Sequence, residues 1–108
     1  MKPALLRPQA QHDQRVEVRY YREAGGTRLA VKVAQATNRA LDQIERHPGM
    51  GSPVLGQQLK IPGLRVWRVG TFPLFWCYIE RDDHLDVIRL LGERQDVVTL
   101  LSADLTSS

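Results

Sequence analysis

LRVWRV-GT-FPLFWCYIE-RDDH-LDVIRLL, residues 64–91, is three apolar runs separated by two polar breaks. Each run has the length of a strand, and each break suits a tight turn. Leu64–Val69, Phe72–Glu80 and Leu85–Leu91 are therefore expected as consecutive antiparallel strands, since short hairpin turns join only antiparallel neighbours. In the first run Arg65, Trp67 and Val69 share one face, and Leu64, Val66 and Arg68 the other. The second run is apolar on both alternations, as a central strand buried on both sides would be. Phe75 and Trp76 then point to opposite faces, so both faces of the sheet need cover.

Upstream the pattern changes period. Leu29, Val33, Ala36, Ala40 and Ile44 recur at spacings of four, three, four and four. This is an amphipathic helix, with Thr27 as its N-cap and His47-Pro48-Gly49 as its stop. A first helix is expected from Ala10 to Glu23, with Pro8 in its first turn and Gly25-Gly26 ending it. Its apolar positions, Ala10, Val18 and Tyr21, are sparse, and Gln14 and Glu17 lie between them. Leu5 and Leu6 suggest a short first strand. Gly49 to Gly63 is rich in glycine and proline and reads as a loop, with an extended piece near Gln58–Lys60. Asp96 to Leu105 reads as a short helix that frays at Thr106-Ser107-Ser108. The fold class is α+β: a short N-terminal strand, an antiparallel two-helix hairpin packed on a small antiparallel sheet, and a short C-terminal helix.

The chain has 108 residues, which suits one domain over 1–108. Net charge is +3, with fifteen Lys and Arg interleaved with twelve acids. That interleaving predicts no concentrated basic face, and no direct binding to DNA is expected of the chain alone. Cys77 is the only cysteine, which excludes an internal disulfide and fits a reducing cytoplasm. No segment resembles a secretory signal, and no apolar run approaches the ~20 residues that span a bilayer. His12, His47 and His84 are isolated from one another and from Cys77, so no metal site is expected. No phosphate-binding glycine loop is present, and no cofactor is expected.

The order of motifs in the second half is more specific. His47-Pro48-Gly49-Met50-Gly51-Ser52-Pro53 is followed by Leu64-Arg65-Val66-Trp67-Arg68-Val69, then by Phe72-Pro73 with Tyr78 five residues after Pro73. Val87-Ile88-Arg89-Leu90-Leu91-Gly92-Glu93-Arg94-Gln95-Asp96 closes the set. This series resembles the ParE/RelE superfamily of toxins from bacterial type II toxin–antitoxin pairs, and its ParE-like branch in particular. The resemblance covers about residues 4–100, with its specific part at 47–96. Gln14 and Glu17 depart from it, standing where aliphatic residues are usual.

The resemblance implies a strand, a helix hairpin and an antiparallel sheet, as read above from the residues alone. It also implies a cytoplasmic toxin that inhibits DNA gyrase by binding it and is neutralised by a cognate, ParD-like antitoxin. An antitoxin segment would then cover the second face of the sheet; otherwise the C-terminal helix, with Val97, Val98, Leu100 and Leu101, would. The alternative within the superfamily is a RelE-like, ribosome-dependent mRNA endonuclease. Such an enzyme needs cations for the phosphate and a base for the 2′-hydroxyl. Arg65 and Arg94, with Lys60, would supply the cations. The tyrosine usual near the C-terminus of those enzymes is missing, since nothing from Glu93 to Ser108 is Tyr or His. A non-toxic remnant that only binds antitoxin is the blandest alternative.

Arg65, Trp67, Arg68, Arg94 and Asp96 are the candidates for contact with a target or partner. Arg65 and Arg68 can equally cover the apolar edge beside Trp67. Arg89, inside an apolar strand, demands a carboxylate, which Glu93 or Asp96 is expected to supply. Cys77 reads as a small buried hydrophobe.

Overall fold

A computed structural model describes residues 1–106; of the fraying expected at Thr106-Ser107-Ser108, Ser107 and Ser108 lie outside them, and Thr106 is the last residue of a helix. The elements run β1 (Ala4–Leu6), α1 (Pro8–Gly25), α2 (Thr27–Arg46), α3 (Val54–Leu59), β2 (Leu64–Arg68), β3 (Leu74–Glu80), β4 (Leu85–Gly92) and α4 (Val97–Thr106). The sheet order is β1-β4-β3-β2. β2, β3 and β4 are antiparallel neighbours, as their turns require, while β1 joins the far edge of β4 in parallel. The small sheet is thus antiparallel except at one edge.

The two alternations of β3 sort the core. Trp76 and Tyr78 face α1 and α2, packing with Val33, Ala40 and Ile44. Cys77 and Ile79 face the other way, with Leu64, Ile88, Leu91 and Leu101. That second face is closed by the chain itself. Leu55 and Leu59 of α3 and Val97, Leu100, Leu101 and Leu105 of α4 pack there around Phe75. The cover expected of an antitoxin on this face is therefore supplied by the C-terminal helix, because its apolar residues recur at helical spacing. Cys77 is fully buried, and burial pushes its thiol up.

Several local expectations are corrected. Thr27 is the first residue of α2 and makes no capping bond; Gly26, at φ 90°, takes the N-cap position, and this single residue turns the chain between the helices. The loop with an extended piece at Gln58–Lys60 is instead a 3-10 turn at Pro48–Met50 followed by α3. Helix α3 can dock because Gly56 has no side chain: a Cβ there would strike the Leu64 carbonyl. Leu29 and Ala36 are only half-buried, and Thr37 is buried in the stripe between Val33 and Ala40. Its hydroxyl donates to the Ala34 carbonyl at 2.8 Å.

The inward stripe of α1 is Ala10, Asp13 and Glu17. Asp13 accepts Arg89 Nε and Nη2 at 2.7 and 3.0 Å, and the Leu90 amide at 3.0 Å. Arg89 Nη1 donates to Asp104 on α4 at 2.9 Å. The partners of Arg89 are therefore Asp13 and Asp104, not the nearby Glu93 or Asp96. Glu93 and Asp96 lie beyond the end of β4 and are engaged by Arg68 and Thr99 instead. Hydrogen bonding to Asp13 holds the Arg89 guanidinium charged, well above its ordinary value.

A second ion cluster pins β1. Arg7 forks onto Asp86 at 3.0 and 2.9 Å, and Arg81 joins it at 3.0 Å. The Arg7 hydrogen bonds hold the Asp86 carboxyl below the usual carboxylate range. A lowered folded-state value contributes stability above the unfolded value near ~3.9, lost as pH falls through the folded one. Asp86→Asn should thus lower stability at neutral pH and flatten the loss below pH ~4. Thermal melts from pH 7 to 2.5 check this; parallel curves for the two proteins would refute it.

Candidate functional site

The C-terminal end of β4 gathers the most chemistry. Glu17 is almost wholly buried, its side chain 3% exposed, and both its oxygens accept Arg94 Nη2 at 2.7 Å. The Arg94 guanidinium also lies over the Tyr20 ring, 4.1 Å from its centre. A buried carboxylate and an aromatic face thus fix a guanidinium that is still 41% exposed. Arg94 Nε and Nη1 have no hydrogen-bond partner among the described residues. Beside them a cleft of about 420 Å³ opens between Tyr20, Tyr21, Leu29 and Pro73. Tyr21 packs edge-on against Phe72, and burial pushes its phenol up.

At the rim Arg68 Nη1 donates to Glu93 at 3.0 Å, both side chains exposed. Strand register puts them together: Arg68 pairs with Phe75, and Phe75 with Leu91. Asp96 has a local task. Its oxygens accept the Thr99 amide at 3.2 Å and the Thr99 hydroxyl at 2.8 Å, capping α4. These bonds hold the Asp96 carboxyl below its ordinary value.

Arg65 is elsewhere. It pairs with Tyr78, which pairs with Val87, seven residues before Arg94. At ~3.3 Å per residue, Val87 to Gly92 alone spans roughly 17 Å. Arg65 Nη1 donates to the Gly51 carbonyl at 2.7 Å, and with Lys60 and Ile61 it lines a separate cleft of about 410 Å³. The Tyr78 hydroxyl clasps the same loop, donating to the Pro48 carbonyl at 2.7 Å and accepting the Gly51 amide at 3.2 Å. A Cβ on Gly51 would collide with that hydroxyl. Trp67 stands between the two sites, its Nε1 donating to Gln43 at 3.2 Å. The fold therefore sets Arg68 and Arg94 at the same end of the sheet, Arg68 bonded to Glu93 and Arg94 to Glu17, and sets Lys60 with Arg65, but does not bring Arg65 to Arg94.

The motif order and this architecture agree with the comparison to known families. The family model described as the ParE toxin of the type II toxin-antitoxin system, parDE, matches residues 4–97. The chain belongs to the ParE toxin family. Among solved structures, the fold is similar to one titled "Chromosomal ParDE TA system from P. aeruginosa", with a TM-score of 0.72 and 17% identity. The match covers 85% of this chain and 96% of that one. No curated protein matches. Among the described residues, no helix of this ParE-family chain is long and apolar enough to cross a membrane.

Sequence reasoning missed Glu17, Tyr20 and Tyr21 as parts of the Arg94 site. One signal was available. Asp13 and Glu17 share a helical face with Ala10, and two acids on an inward stripe require two cations from the facing strand and the turn that follows it. Arg89 and Arg94 are those cations.

Proposed function

We propose that this ParE-family chain is a toxin that inhibits DNA gyrase by binding it, through the end of the sheet carrying Tyr20, Arg68, Glu93 and Arg94. It acts in the cytoplasm as a single domain, without catalysis of its own, and a ParD-like antitoxin neutralises it. The observation that carries the reading is the preset guanidinium of Arg94. Glu17 and Tyr20 hold it over an aromatic cleft, so a partner's carboxylate meets a donor that loses little freedom on binding. Exposed Tyr and Arg are also the residue types that anchor protein interfaces.

The ribonuclease reading is disfavoured by distance. Arg65 and Arg94 lie too far apart along the sheet to grip one phosphate, and Lys60 sits with Arg65 alone. The test uses two exposed side chains whose loss should not unfold the protein. Tyr20→Ala and Arg68→Glu should each weaken binding to purified gyrase by roughly tenfold, a modest hot-spot effect. Calorimetric titration measures it. Wild-type affinity in both variants, at unchanged Tm, would place the contact elsewhere.

A further inference from the structure

We infer that the outer face of the α1–α2 hairpin docks the phosphate backbone of duplex DNA. In sequence the charges of the hairpin look mixed, but the fold separates them. Asp13 and Glu17 turn inward and are neutralised by Arg89 and Arg94 from outside the hairpin. What remains outside is strongly positive. Arg28, Lys32, Arg39 and Arg46 follow one another on α2 at spacings of four, seven and seven. At ~100° per residue these four fall within roughly 40° of each other, opposite the buried Ala30, Val33, Thr37, Ala40 and Ile44. All four are exposed, and they extend along roughly 27 Å of helix.

A second row adjoins it. Arg15, Arg19 and Arg22 on α1 line a cleft of about 400 Å³ that reaches Ala34 and Asn38 on α2. None of these seven cations forms an ion pair among the described residues. Only Glu23, Asp42 and Glu45 oppose them on the hairpin, and Glu45 is already engaged by the Ala4 amide at 2.7 Å. A surplus of four on one layer exceeds the +3 of the whole chain.

The character of the face selects the occupant. A protein interface needs an apolar, aromatic centre. Here Val16 and Val31 are the large aliphatic side chains exposed on the hairpin among the described residues, and Tyr20 and Tyr21 are turned toward Arg94 and Phe72. Single strands need aromatic platforms for their bases, again lacking on this face. A long, polar, unpaired row of cations instead matches the regular charge of a duplex. The choice of DNA over an RNA duplex rests on the gyrase reading, since that target holds duplex DNA.

The test needs no gyrase, so it can fail or succeed independently of the function proposed above. Fluorescence anisotropy would follow the whole chain binding a labelled 20-base-pair DNA duplex across a salt series. The wild type should bind, with log K falling linearly in log salt. Arg28→Glu/Lys32→Glu/Arg39→Glu, at unchanged Tm, should weaken binding at least tenfold and reduce the slope by about 3, near 0.9 per lost phosphate contact. No binding at low salt, or a variant that binds as the wild type does, would overturn the inference. So would tighter binding to an RNA duplex of the same sequence or to a polyglutamate chain.

Discussion

Asp13→Ala should cost about 3–5 kcal/mol of stability, the range for breaking a buried ion pair from one side. The Asp13 and Arg89 side chains are each 8% exposed, so water cannot replace the lost partner. Arg89 would keep Asp104, which is more exposed at 29% and reached by only one nitrogen. The Leu90 amide would lose its acceptor as well. For a chain of this size the melting point should fall by at least ~12 °C. Because so large a loss can prevent folding outright, a second variant matters. Asp13→Asn with Arg89→Met keeps an acceptor for Leu90 and removes the orphaned cation, so it should return to within ~2 kcal/mol of wild type. Urea titrations of the three proteins measure this. A cost below ~1 kcal/mol for Asp13→Ala would show that α1 is not fastened to β4 by this pair.

Arg94→Ala should show two effects that can be separated. It leaves the Glu17 carboxylate buried with no other side-chain donor among the described residues, at a cost of about 2–3 kcal/mol, less than for breaking the Asp13–Arg89 pair because Arg94 is partly exposed. On the proposed function it also removes the central donor of the interface and should abolish measurable gyrase binding. Glu17→Met with Arg94→Ala removes the stranded charge. This pair should recover most of the stability and none of the binding. If binding returned with stability, Arg94 would be a brace for the fold and not a contact.

Much of the fold was legible because it is written in local periods. The change from period 2 over residues 64–91 to spacings of three and four over 29–44 separates sheet from hairpin without knowledge of contacts. The opposed directions of Phe75 and Trp76 imply a sheet covered on both sides. Helix α3 was hidden for a physical reason. Its six residues are bounded by Pro53 and Lys60 and contain Gly56, a helix-weakening composition, and its stability comes from packing on β2. The parallel seat of β1 was equally hidden, since three residues carry no sign of their partner.

The site was legible in part. Arg94 stood out as a cation at the end of the sheet, and strand register brings Arg68 to the same end, where it meets Glu93. The partners of the buried arginines were not, because Asp13 lies 76 residues from Arg89 and Glu17 lies 77 from Arg94. Glu17, which with Gln14 departs from the family pattern, is the partner of Arg94, and Asp13, which no sequence motif singled out, is the partner of Arg89. The same turning-in of acids makes the outer hairpin basic, which no count along the sequence could show.

The most direct test is a plasmid supercoiling assay with purified chain, gyrase from the same source and relaxed DNA. Loss of supercoiling with dose, or accumulation of linear DNA, is the result expected, and the cognate antitoxin should reverse it. Full supercoiling at a large molar excess of folded chain would contradict the account.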